Sequence, residues 1–129
     1  MDFDLSIAAD RSYAVLTNYS DVTHASAIER QRAMQAFAMA HGVSRFLIDT
    51  REKRFVGGSL ALYTFARDTL PKEGFDRKWK VALVTSPDDK SHDFLETVSQ
   101  NAGYQVMVFK DYEDAKAWLG EGKSGIPKK

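Results

Sequence analysis

The sequence contains no cysteine, only three prolines and no long apolar run. Without cysteine the chain has no disulfide, no thiolate nucleophile and no cysteine metal ligand, a composition that suits a reducing compartment. The first residues lack the basic region and apolar core of a signal peptide, and no apolar run approaches the ~20 residues that span a bilayer. We therefore expect a cytoplasmic protein that is not membrane-integral.

The chain also lacks an excess of either charge, because 18 basic side chains balance 18 acidic ones. A protein with zero formal net charge has no overall field that attracts nucleic acid, so we expect no nucleic-acid partner. The three histidines, His24, His41 and His92, follow no metal-ligand or triad spacing. We expect no cofactor, no metal site and no enzymatic activity.

Hydrophobic residues make up 43% of the 129 residues and charged residues 28%, which is typical of one folded domain. Alternating apolar residues predict an antiparallel hairpin of strands near 3–7 and 13–17, and apolar runs predict three more strands near 45–49, 79–84 and 104–109. Helical spacing predicts four helices. The first two lie at about 24–41 and 59–70, and Pro71 falls just past the end of the second. The third contains Phe94, Val98 and Ala102 on its buried side, and the fourth has Ala115, Trp118 and Leu119 facing inward.

The predicted order is therefore β-β-α-β-α-β-α-β-α, a single α/β domain with a five-stranded, mixed, mostly parallel sheet and about four flanking helices. We assign the domain to residues 1–119. Residues 120–129 are rich in glycine and lysine, and their composition predicts a flexible tail.

Three stretches carry a family resemblance. They are the strand end Leu47-Ile48-Asp49-Thr50, the strand 80–84, and the closing pattern 108–119 with Glu113, Ala115, Trp118 and Leu119. Together with the order of elements, they resemble the SpoIIAA-like branch of the STAS-type domains. This resemblance implies a small α/β domain related in architecture to bacterial anti-sigma-factor antagonists and to lipid-transfer domains.

The loop after the central strand is the main candidate site, since ligands of open α/β sheets gather at the carboxyl ends of strands. Arg51 and Arg54 can bind an anion together with the amides of Gly57, Gly58 and Ser59. The alternative is that the glycines ease a tight helix entry, that Ser59 caps the helix, and that the arginines are solvated or pair with Glu52. The predicted ligand-binding set is Asp49, Thr50, Arg51, Arg54, Gly57, Gly58, Ser59 and Ser86.

The family resemblance also implies a competing function, since antagonists of that superfamily carry a phosphorylated hydroxyl directly after an acid, as in Asp49-Thr50. Their compact hydroxyl-Gly turn is replaced here by residues 51–56, which argues against phosphorylation of Thr50. Asp49, a hydroxyl from Thr85 or Ser86, and Lys110 would meet at one rim, as in phosphoryl-accepting receiver domains, but the second acid needed for Mg²⁺ is missing.

Four aromatic residues can line an apolar cavity, although aromatic residues on helices usually belong to the core, and if exposed they form a dimer patch; they are Phe55, Tyr63, Phe65 and Phe75. The sequence therefore predicts a non-enzymatic binding or regulatory domain that binds a small ligand or a protein partner at the rim, the edge of the sheet where the parallel strands end. The alternatives are a phospho-signalling domain that uses Asp49 or Thr50, and a homodimerisation module.

Overall fold

The computed structural model describes residues 2–51, 53–56 and 58–120. The strands are β1 (Phe3–Ile7), β2 (Ala14–Asn18), β3 (Arg45–Thr50), β4 (Lys80–Thr85) and β5 (Gln105–Phe109). The helices are α1 (His24–His41), α2 (Gly58–Thr64), a π-helical segment (Phe65–Thr69), α3 (Leu70–Lys72), α4 (Asp93–Asn101) and α5 (Tyr112–Gly120). The predicted tail at 120–129 lies almost entirely outside the described residues, so that boundary stays a prediction.

The five strands form one sheet in the order β1-β2-β3-β4-β5. β1 pairs with β2 in antiparallel orientation, and the other neighbours are parallel. This arrangement confirms the predicted mixed sheet and the order of elements. Because each parallel strand lies beside the previous one, right-handed connections place the intervening helices on the same face of the sheet.

That face, called here the helical face, packs against α1, the π segment, α3 and α4 through the main hydrophobic core. The opposite face, called here the α5 face, packs its apolar side chains against α5 alone among the described helices. The inward residues of α5 are Ala115, Trp118 and Leu119, as predicted. Side chains of one strand alternate between the two faces, so consecutive residues at a strand end serve different sites.

The ends of α1 show how local sequence sets a helix. Thr23 is the N-cap, and its side chain and that of Ser26 bond each other's backbone N–H in a capping box. Gly42 ends the helix with φ 67°, a left-handed conformation that glycine adopts at little cost. The predicted bounds of α1 are therefore confirmed.

Two details of the predicted helices were wrong. Pro71 lies within α3 rather than past the end of the helix, and the preceding turn is π-helical, with the Leu70 N–H donating to the carbonyl of Phe65. On α4, Phe94 is 40% exposed and does not belong to the buried line, which runs through Leu95 and Val98 instead. No helix in the described part of the chain has the length and apolar character needed to cross a membrane.

Candidate functional site

The predicted rim is divided by the sheet into two separate environments. Asp49 points to the α5 face, where it accepts two bonds from the Arg51 side chain at 3.0 and 2.8 Å. The Arg51 guanidinium carbon also lies 4.7 Å from the centroid of the Tyr112 ring. The two side chains border a polar depression with Thr17 and Tyr19. Asp49 and Arg51 therefore bind each other on the α5 face.

Thr50, the next residue, points to the helical face and is 1% exposed. Its hydroxyl donates to the carbonyl of Val84 at 3.0 Å. Ser86 lies in the turn after β4, and its hydroxyl donates to Asp88 at 3.1 Å. Thr50 is thus a buried sheet residue, and Ser86 stabilises a turn; the structure does not bring either side chain into contact with Asp49.

Arg54 belongs to a short segment, residues 53–56, called here the rim loop. The loop is held by a parallel bridge between Val22 and Phe55, with backbone bonds of 2.9 and 2.8 Å on either side. The Arg54 guanidinium lies 3.3 Å from the fully buried carboxylate of Asp89. The Phe55 N–H donates to the Ser91 hydroxyl at 3.0 Å. These contacts fix the rim loop across the helical face.

The predicted anion cradle at the start of α2 has less support. Gly58 has φ 79° and open space around its Cα, so glycine is favoured there by backbone conformation and not by close packing. Gly57 and the side chain of Ser59 lie outside the described residues. Both arginines of the cradle contact carboxylates of the chain, Arg51 with Asp49 and Arg54 with Asp89, whereas Glu52, the partner named by the alternative interpretation, lies outside the described residues.

A buried polar cluster below the rim loop was not predicted from the sequence. Asp89, in the turn before α4, accepts bonds from the Ser91 N–H at 2.7 Å and from His92 Nδ1 at 3.3 Å. Lys110 reaches the same cluster, donating to Thr85 at 3.0 Å and to the carbonyl of Asp89. No side chains in this cluster group as a metal site within the described residues.

The protonation states follow from these contacts. Burial would raise the pKa of Asp89, but the hydrogen bonds from Ser91 and the contact with His92 outweigh it and hold that pKa below its ordinary value. Burial lowers the pKa of His92 below its ordinary value despite the nearby Asp89. At neutral pH we therefore take His92 as neutral and Asp89 as ionised. Ser91 and Asp89 both contact Nδ1 of His92, whereas a catalytic triad uses the two opposite nitrogens.

Beneath the rim loop lies a cavity of about 90 Å³ on the helical face. Its walls come from the sheet, α1, the π segment, α3 and α4, with Phe55 of the rim loop among them. The predicted aromatic lining is confirmed for Phe55, Phe65 and Phe75. Tyr63 does not line the cavity and is 47% exposed. Thr50 and His92 also face this space, which links the cavity to the strand ends.

Two polar atoms at the cavity have no hydrogen-bond partner: Gln31 Oε1 and Ser99 Oγ. Gln31 is 2% exposed and Ser99 0% exposed. Both residues interrupt an apolar helical stripe, since Gln31 lies between Ala27 and Met34 on the inward side of α1. A polar residue inside such a stripe was the available signal for this site.

The fold is similar to that of a solved protein structure. The crystal structure of an uncharacterized protein of the DUF3478 family, from Shewanella loihica PV-4, matches with a TM-score of 0.57 over 91% of this chain and 91% of that chain. That protein is described as having a SpoIIAA-like fold. This chain has a SpoIIAA-like fold. The resemblance predicted from the sequence is thereby confirmed at the level of architecture.

The two SpoIIAA-like chains share 18% sequence identity, a level that supports the common fold alone. No protein-family model and no curated protein sequence matches this chain. The function of this SpoIIAA-like domain must therefore be argued from its own residues.

Proposed function

We propose that this chain is a non-enzymatic domain that binds a small, largely apolar molecule in the cavity beneath the rim loop. The observation that carries the proposal is the cavity itself, lined by aromatic and aliphatic side chains with a few polar atoms among them. Small-molecule sites usually have this composition. An empty interior of this size is also unfavourable, because its lining atoms lose dispersion contacts.

The proposed site agrees with the sequence expectation that recognition occurs at the strand-end rim. Thr50 and Phe55 belong both to that rim and to the cavity wall. Arg54 contributes indirectly, because its ion pair with Asp89 holds the rim loop over the cavity. Asp49 and Arg51 lie on the α5 face, so we assign them to the surface of the domain and not to the ligand site.

Native mass spectrometry of the full chain tests the proposal when the same sample is also measured after denaturation. We expect an extra mass that is lost on denaturation. Replacing Ser99 with Leu fills the cavity and should abolish that mass, whereas Thr97→Leu, on the exposed side of the same helix, should retain it. The proposal is excluded if the wild-type protein carries no extra mass and if millimolar furan changes no amide chemical shift around the cavity.

A protein partner is the second candidate, and exposed apolar side chains favour it. Val56, Leu60, Tyr63 and Phe94 are all exposed and come from the rim loop, α2 and α4. The predicted homodimer would use this surface. Light scattering at micromolar concentration distinguishes the cases: a dimer should dissociate in Leu60→Glu, and a monomer excludes self-association.

A further inference from the structure

The orientation of the Gln31 side-chain amide is set by a relay of hydrogen bonds that begins at the protein surface. Gln35 Nε2 donates to the carbonyl of Glu73 at 3.3 Å, which leaves Gln35 Oε1 as an acceptor for Gln31 Nε2. Reversing the Gln31 amide would bring two oxygens together. The atom that remains for the cavity is therefore Gln31 Oε1, a hydrogen-bond acceptor without a partner.

The start of the relay is itself fixed. Glu73 forms a two-point ion pair with Arg32, with donor–acceptor distances of 2.6 and 3.0 Å. α1 therefore contributes both ends of the chain of contacts, from Arg32 at the surface to Gln31 inside. The second unpartnered atom, Ser99 Oγ, comes from α4 and can donate or accept.

The cavity wall disfavours a charged ligand of either sign, for a different reason in each case. Arg30 lines the cavity, is buried, and donates to Asn18, Ser20 and two backbone carbonyls. None of the ion pairs among the described residues includes it, so its positive charge disfavours a cationic ligand. An anion would place its lone pairs against the oxygen of Gln31, and burying any ion in an apolar space is costly.

The volume sets the size of the occupant. An engineered protein cavity of about 150 Å³ accommodates benzene, and one water takes up about 30 Å³ in the liquid. A cavity of about 90 Å³, which is smaller than the benzene-binding cavity and holds more than one water, therefore suits a molecule smaller than benzene.

From these observations we infer that the cavity selects a small neutral molecule that carries a hydrogen-bond donor, such as a short alcohol or an N–H heterocycle. The donor bonds Gln31 Oε1, Ser99 completes the polar contact, and the remaining atoms lie against Phe55, Phe65 and Leu95. The inference rests on the proposed function and adds the chemical class of its ligand.

Pyrrole and furan form the matched pair of probes, because both are five-membered rings and only pyrrole has an N–H donor. Amide shifts of the full-length protein, titrated with each ring, give the two dissociation constants. We expect wild type to bind pyrrole about tenfold more tightly than furan, the effect of one buried hydrogen bond gained and one acceptor repulsion avoided. In Gln31→Met the ratio should fall to about one.

Two further variants separate the role of the polar atoms from effects on folding. Ser99→Ala removes a hydroxyl that can accept from the pyrrole N–H or donate to the furan oxygen, so it should weaken the binding of both rings, and Thr97→Ala, exposed on the same helix, should leave both dissociation constants unchanged. Equal binding of furan and pyrrole by wild type would overturn the inference and leave the proposed function standing. Binding of neither ring by protein that native mass spectrometry shows to be free of ligand would overturn both.

Discussion

The unpartnered hydroxyl of Ser99 leads to an unusual stability prediction, because replacing this residue with alanine should stabilise the ligand-free protein. A buried hydroxyl without a partner costs about 1–3 kcal/mol, and alanine is the better helix former by roughly 0.5 kcal/mol. Some of that gain is lost because the cavity becomes slightly larger. We expect a net increase of about 1–2 kcal/mol in the free energy of unfolding.

Urea denaturation followed by tryptophan fluorescence measures this change, with protein that native mass spectrometry shows to be free of ligand. The slope of the unfolding free energy against urea concentration should not change. In thermal unfolding of the same samples, the melting temperature should rise by about 4–8 °C. Thr97→Ala isolates the contribution of helix propensity, since residue 97 is exposed on α4.

Thr50→Val provides the opposite case. The Thr50 hydroxyl is equally buried but donates to the carbonyl of Val84, so its removal should destabilise the protein by about 1 kcal/mol. If Ser99→Ala lost as much stability as Thr50→Val, the Ser99 hydroxyl would have a partner in the free protein, and the reasoning about the cavity polarity would be refuted.

Three further predictions concern the rim and the cluster below it. Phe55→Ala should lower the free energy of unfolding by about 3–5 kcal/mol, as measured in urea, because it opens the cavity roof; a loss below about 1 kcal/mol would contradict the packing described. Burial keeps the pKa of His92 below 6.5, so as the pH falls the unfolded chain binds a proton at this residue before the folded chain does. The free energy of unfolding should therefore decline below pH 6.5. Urea titrations at about pH 5 and about pH 7.5 measure this decline, which should be smaller in His92→Asn. Acetyl phosphate with Mg²⁺ should leave the intact mass unchanged, since Asp49 is paired with Arg51; one added phosphoryl group, absent in Asp49→Asn, would support phospho-signalling instead.

The fold could be predicted largely because its signals are local. The alternation in β1, the apolar run of β4 and the capping residues of α1 each depend on a few neighbouring residues. The π segment was missed because Pro71 usually marks the end of a helix, and a bond from residue 70 to residue 65 leaves no such mark in the sequence.

The candidate site was predicted only in part, for a different reason. The aromatic lining was predicted from residue type, because large aromatic side chains can line an apolar space, and Phe55, Phe65 and Phe75 do line the cavity. The ion pair of Arg54 with Asp89 joins residues of two loops that are 35 positions apart in the sequence. The spacing of apolar residues does not indicate such a contact. The division of Asp49 and Thr50 between two faces follows from strand geometry and was within reach of the sequence.

The π segment has a consequence for how this interior tolerates a change in chain length. Phe65 and Leu70 both line the cavity, although residues five apart on an α-helix point about 140° away from each other. The wider turn brings them to the same side. Deleting one residue between them would restore an ordinary α-helix with the two residues four apart, about 40° from each other, so both would still face the cavity. The turn can therefore gain or lose one residue while both side chains remain in the lining, and a change in the length of this turn alone does not alter which of the two contribute to the interior.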